Sequence, residues 1–267
     1  MVGNIRTWKK QAKCALKGNY GLAVTALILT NLTVILGSSL SVVLFPGESP
    51  ADYILSFIFQ FIVSLITSIF SAGMSYLYLK ISRGEQAGLS DLLYFFKNNP
   101  DRVIVAGFVL AMLNLLANIP YYYVSWTTPV GNTPEGQLFY IQQITIFSLI
   151  TMGLYVLLAL PFTQMYYLLA AHPEMSGVES VEESMRLMKG KKFKFLKMQL
   201  SFLPMIVIYM IFTLGIGLFW LMPHMEMTAV YFYRELVEGH KVVEDLKTDA
   251  GEEGLSGHTA EQNNDMI

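Results

Sequence analysis

Not one charged residue lies between Leu22 and Leu44, nor in Ile54–Leu79, Val103–Val124 or Ile144–Ala170. A helix needs about 20 apolar residues to cover the hydrocarbon core of a bilayer, and each of these blocks meets that length. A fifth apolar region runs from Met198 to Tyr233, broken at Gly215-Ile216-Gly217 and at Pro223. As one straight helix it would reach about 54 Å, against a hydrocarbon core of about 30 Å. Two short spans folded at the glycines fit that length. Composition agrees: the chain is 54% hydrophobic and only 14% charged, where a soluble domain carries about 25% charged residues. Too little polar surface remains to cover a water-exposed globule. The reading is therefore an all-α fold, a polytopic transmembrane helical bundle of six spans, at 22–44, 54–79, 103–124, 144–170, 198–214 and 217–233. Five spans is the alternative, if the last block crosses once.

Charge placement decides between them. All 18 Lys and Arg fall in four segments: before the first span, between spans two and three, between spans four and five, and after the last. The loops around Glu48–Asp52 and Asn132–Glu135 contain neither residue. Basic residues accumulate on the cytoplasmic side, so the N-terminus is expected inside. Lys197 and Arg234 flank the last block, and an even number of crossings keeps both on the positive side. The first block is too long for the apolar core of a signal peptide and lacks a clean small-x-small site. Residues 1–240 then form one transmembrane domain, and 241–267, rich in acidic and small polar residues, a disordered cytoplasmic tail. The single Cys14 excludes an internal disulfide.

Each basic segment also carries an amphipathic stretch ahead of an outgoing span. In the first, Ile5, Trp8, Ala12, Ala15 and Leu16 share one face, opposite Lys9, Lys10, Lys13 and Lys17. Such a helix is expected in the headgroup plane, with Trp8 at the interface and its lysines beside anionic lipid. The second is Ser90–Lys97, and the third opens at Ser180-Val181-Glu182-Glu183, a capping-box pattern. Lys189, Lys191, Lys192 and Lys194 follow, mixed with Phe193 and Phe195. Immediately before a span, that mixture fits anionic lipid rather than nucleic acid. The order predicts an internal repeat of interfacial helix, outgoing span, loop and return span, with Leu16-Lys17-Gly18 and Met188-Lys189-Gly190 at equivalent places.

Inside the spans, polar residues are few. Ser64, Ser68, Ser71, Ala72 and Ser75 line one face of the second span, a pattern that serves helix packing or a polar lining. Asn114 and Asn118 share a face of the third span and should point into the bundle; Asn31, Gln60 and Gln164 are further polar points. They suit interhelical hydrogen bonds or a solute path. His224 and Glu226 form a candidate intramembrane polar pair in the last span, at an interfacial or half-exposed position. They lack the further ligands a metal enzyme requires. No phosphate-cradling glycine loop or hydrolase elbow is present, so no catalytic residue, metal or cofactor is assigned.

Three stretches carry a family resemblance: Ala12-Lys13-Cys14-Ala15-Leu16-Lys17-Gly18-Asn19-Tyr20; Ser184-Met185-Arg186-Leu187-Met188-Lys189-Gly190 with Leu200-Ser201-Phe202; and Gly215-Ile216-Gly217-Leu218-Phe219-Trp220-Leu221-Met222-Pro223 with Ala229-Val230-Tyr231-Phe232-Tyr233. Together they resemble the bacterial integral membrane family catalogued as domain of unknown function 975, over residues of about 4 to 236. Two places depart from its pattern. His224 stands where an aromatic commonly follows the proline, and Leu203-Pro204 where Gly-Trp is typical. The resemblance implies a multi-span plasma-membrane protein without an established activity. A looser similarity to the membrane portion of some glycerophosphodiester phosphodiesterases carries over no hydrolase activity, since their soluble catalytic domain has no counterpart here.

The expected function is non-enzymatic, acting through lipid headgroups or a membrane-protein partner. A transporter or permease component using the Asn114/Asn118 face is the alternative, and an intramembrane enzyme ranks third. The topology has a direct check. A cysteine placed at Ser256 should stay shielded from impermeant thiol reagents in intact cells, and labelling from outside would exclude six spans.

Overall fold

Helix caps written into the sequence set most element boundaries in the computed structural model. It describes residues 4–46 and 49–261, with the side chains at 50, 53, 126 and 240–261 left aside. Helix α1 spans Ile5–Ala15, its first turn closed by the Asn4 side chain. After Gly18 the chain enters α2, Tyr20–Leu44, and returns through α3, Pro50–Arg83. Ser49 and Asp52 form a reciprocal capping box at the head of α3, and left-handed Gly84 ends it, as a residue free of a Cβ readily does. A 3₁₀ turn, Leu89–Leu93, leads into the short α4, Tyr94–Lys97. Helices α5, Pro100–Thr127, and α6, Pro134–Ala159, make the second long hairpin. Pro161 interrupts α6 in a 3₁₀ turn, and α7, Met165–Ala171, resumes the path. Ser184 bridges that break by accepting from the Gln164 amide and donating to the Pro161 carbonyl. It sits on α8, Gly177–Leu187.

The last unit comprises α9, Lys192–Leu200, α10, Leu203–Thr213, and α11, Leu218–Glu261. Between α10 and α11, Leu214 and Gly215 both have positive φ and reverse the chain at the predicted glycines. At the other end of this hairpin Lys194 and Glu235 pair at 3.2 Å, so α9 starts where this part of α11 finishes. The backbone of α11 runs helical to Glu261, into the segment for which composition predicts disorder; residues 262–267 lie outside the described residues. Five stretches are long and apolar enough to cross a membrane: Tyr20–Leu44, Ile54–Arg83, Pro100–Ser125, Pro134–Ala171 and Lys192–Thr213. The Leu218–Tyr233 segment does not join them on that measure, so the sixth crossing rests on the charge argument alone.

Burial is uneven along the bundle. One end, where the basic segments gather, holds a dense core that includes Trp8, Leu16, Tyr78, Phe95, Met188 and Phe232. Toward the other end the long helices leave Ile35, Val43, Ile62, Leu116, Leu149 and Met152 exposed, which suits a hydrocarbon surround. The amphipathic elements therefore behave differently from the expectation. Trp8 is 2% exposed and sits inside protein, not at a lipid interface. Its indole N–H donates to Glu235 at 2.7 Å, its ring meets Phe232 edge-on, and the Lys194 ammonium lies 4.7 Å from its centre. With the N–H satisfied and the ring face covered, no reason remains for the side chain to seek the headgroups. Leu92 and Phe95 are likewise buried. The third stretch begins a turn earlier than predicted. Ser176 caps α8 with Glu179 as its capping-box partner, while Ser180, read as the cap, lies buried within the helix.

Basic side chains lock this core by taking helix-end carbonyls, groups with no partner inside their own helix. Arg102 donates to the His172 and Met175 carbonyls beyond α7. Arg234 donates to Ser82 in the last turn of α3, and Lys9 to Ser201 at the end of α9. Lys80 pairs with Asp91 at 2.9 Å, pinning the 3₁₀ turn to α3. Each amphipathic unit hands over to the helix that follows it through a left-handed residue: Gly18, Asn99 and Gly190. Replacing Trp8 with alanine should destabilise the fold by about 3–5 kcal/mol, read as a lowered thermal midpoint in detergent. Phe193→Ala, at a site 83% exposed, should stay within about 0.5 kcal/mol of the parent.

Candidate intramembrane cleft

Where the long helices diverge, α3 and α5 enclose two polar-lined cavities. The first, of about 620 Å³, is bounded by Ser56, Gln60 and Ser64 on α3 and by Ala111, Asn114, Asn118 and Tyr122 on α5. The second, of about 450 Å³, shares Gln60, Ser64, Ala111 and Asn114 and continues along Thr67, Ser68 and Ser71 to Gly107, Tyr155 and Tyr166. The serine stripe thus serves both readings, at different depths. Ser68, Ala72 and Ser75 are buried where α3 packs closely, while Ser64 is exposed to the cleft. The α3 hydroxyls at Ser64, Thr67, Ser68 and Ser71 each donate to a carbonyl three or four residues back.

Asn114 and Asn118 share a face of α5, but that face opens to the cleft and not into the packed bundle, with Asn114 exposed and Asn118 half-buried. The Asn118 amide donates to the Asn114 carbonyl at 2.7 Å and to its Oδ1 at 3.1 Å. Gln60 faces the same space from α3 and has no hydrogen-bond partner among the described residues. The sequence marked Gln60 as polar but could not place it opposite Asn114. Tyr155 and Tyr166 were missed altogether, because a tyrosine within an apolar block carries no signal of which way its hydroxyl turns.

His224 and Glu226 do not form a pair. Two residues apart on a helix, they lie on different faces. The His224 Nε2–H donates to the Lys9 carbonyl at 2.9 Å, and the ring meets Phe202 edge-on. Glu226 instead accepts from the Tyr167 hydroxyl at 3.3 Å. His224 therefore ties α11 to α1, and Glu226 ties it to α7.

The eight lysines assigned to lipid divide in two. Lys9 is turned inward, over the Phe202 ring at 3.7 Å, and burial pulls its ammonium pKa below the ordinary lysine value. Lys194 is engaged with Glu235 and Trp8. Lys10, Lys13, Lys17, Lys189, Lys191 and Lys192 are exposed. The Lys9 and Lys194 contacts bring α9 beside α1, and the six exposed lysines lie in or next to these two elements along the chain. At the start of α8, the Ser176 amide and hydroxyl hold the Glu179 carboxyl below the usual carboxylate range.

The family described as protein of unknown function (DUF975) matches residues 4–240. No curated protein and no solved structure matches the chain. None of these comparisons bears out the looser likeness to glycerophosphodiester phosphodiesterases.

The separation of His224 from Glu226 has a thermodynamic signature. In a double-mutant cycle on thermal stability, His224→Ala and Glu226→Ala should add to within about 0.5 kcal/mol. A coupling of about 1 kcal/mol or more would mean that the two side chains act together.

Proposed function

This chain belongs to the DUF975 family, and we propose that it is a non-enzymatic protein of the bacterial plasma membrane that acts through lipids or membrane-protein partners. On this reading it crosses six times with both ends cytoplasmic, and its basic end faces the anionic inner leaflet. The observation that carries the proposal is the exposed cluster at the head of α9. Phe193, 83% exposed, stands among Lys189, Lys191 and Lys192 along the chain, and Lys10, Lys13 and Lys17, in and just after α1, are exposed as well. An aromatic ring flanked by ammonium groups suits the headgroup region. Each lysine near an anionic surface contributes about 1 kcal/mol.

The cleft favours a second reading, a transport component. Polar groups between diverging helices can line a solute route. Alanine at Asn114 and Asn118 would then abolish flux while leaving the protein folded. For the leading reading, the experiment is purification into nanodiscs containing phosphatidylglycerol and phosphatidylcholine, with mass spectrometry of the lipids retained. Phosphatidylglycerol should be enriched on the parent protein, and Lys189, Lys191 and Lys192 changed to Gln should remove most of that enrichment. Equal retention of the two lipids by the parent would contradict the proposal.

A further inference from the structure

The cleft between α3 and α5 has a chemistry that narrows what can occupy it. Among the described residues, neither cavity is lined by Lys, Arg, His, Asp or Glu. A charged group entering it would leave water with nothing to neutralise it, a steep penalty in a low-dielectric site. Apolar chains alone do not suit it either. The Gln60 carboxamide has no partner among the described residues, and Asn118 occupies only acceptor atoms of Asn114, leaving the Asn114 side-chain amide as a donor. Amides left unpaired in hydrocarbon are costly. An occupant must therefore offer donors and acceptors together without charge, and a hydroxyl supplies both.

The walls indicate where that occupant comes from. The cleft rim includes Ile54 and Phe57, both exposed, beside the half-buried Gln60 and the exposed Asn114. A polar head can sit against the amides while its hydrocarbon chains lie along this apolar rim. The first cavity, about 620 Å³, falls in the range of small-molecule sites, about 300–1,000 Å³.

We propose that this cleft binds an uncharged, hydroxyl-bearing lipid headgroup, of which that of diacylglycerol is the simplest, with Gln60 and Asn114 as its hydrogen-bonding residues. The site is separate from the basic cluster around α9. Its test uses a neutral lipid and leaves the phosphatidylglycerol result standing whichever way it falls.

The full chain carrying Lys189→Gln, Lys191→Gln and Lys192→Gln, so that the basic cluster no longer gathers anionic lipid, is placed in phosphatidylcholine nanodiscs doped with dioleoylglycerol or with dioleoylphosphatidic acid, which has the same chains on a charged head. Bound lipid is read by native mass spectrometry. One dioleoylglycerol per chain should be retained in preference to phosphatidic acid. Gln60→Leu and Asn114→Leu should each reduce that retention about tenfold, the effect of one lost hydrogen bond that leaves a buried partner unsatisfied. Ser64→Leu fills the cavity while leaving both amides in place, and should also block the adduct. It keeps the proposal falsifiable if an amide variant fails to fold. Equal retention of phosphatidic acid, undiminished retention in folded variants, or no adduct on the parent would each overturn the proposal. Loss of the adduct to competing free glycerol would point to a water-soluble polyol and would also overturn the lipid assignment.

Discussion

Helix-end carbonyls need partners, and here arginine and lysine side chains supply them from neighbouring elements. Arg102, Arg234 and Lys9 each reach across to a carbonyl at the end of another helix. Each contact satisfies a group its own helix cannot and fixes two helices relative to one another. A charged donor also makes a stronger hydrogen bond than a neutral one. The amphipathic elements fill the space between these clamps, with Trp8, Leu92 and Phe95 pointing inward. The basic segments thus have two roles. Some of their side chains build the inner core, and the rest remain exposed at its surface.

This arrangement explains why the other end is open. With helix ends anchored on one side, the long helices can diverge on the other, where a bilayer satisfies their apolar surfaces without further protein contact. Small residues keep α3 close to its neighbours near the core, through Ser68, Ala72 and Ser75. Further along, Gln60, Ser64 and Asn114 line a cleft instead. Tight packing and an accessible polar interior are successive stretches of the same helix face.

Much of the architecture was legible because membrane constraints act on composition and length. The apolar blocks, the break at Gly215–Gly217 and the left-handed Gly18 and Gly190 follow from local rules. The fate of the amphipathic helices did not. A stripe of Trp8, Ala12 and Leu16 opposite lysines reads the same whether it faces lipid or protein, and only Glu235 and Phe232, more than 200 residues away, decide it. The start of α8 falls a turn earlier than expected because two Ser-x-x-Glu patterns, Ser176–Glu179 and Ser180–Glu183, follow one another there. Gly177, in contact with the backbone of α5, accompanies the earlier one. For the candidate site, Asn114 and Asn118 were visible from their spacing. Gln60 as their counterpart required the pairing of α3 with α5, and the His224–Glu226 pair dissolved once each residue met a different helix.

The central claim is that the amphipathic elements are protein core rather than interfacial helices, and Trp8 reports on it directly. With Trp126 and Trp220 changed to Phe, the remaining indole can be observed in vesicles whose lipids carry bromine at chosen depths. A buried Trp8 should keep its emission with bromine at every depth and stay insensitive to iodide in the aqueous phase. Strong quenching by lipids brominated near the headgroups would place it in the interface and contradict the account.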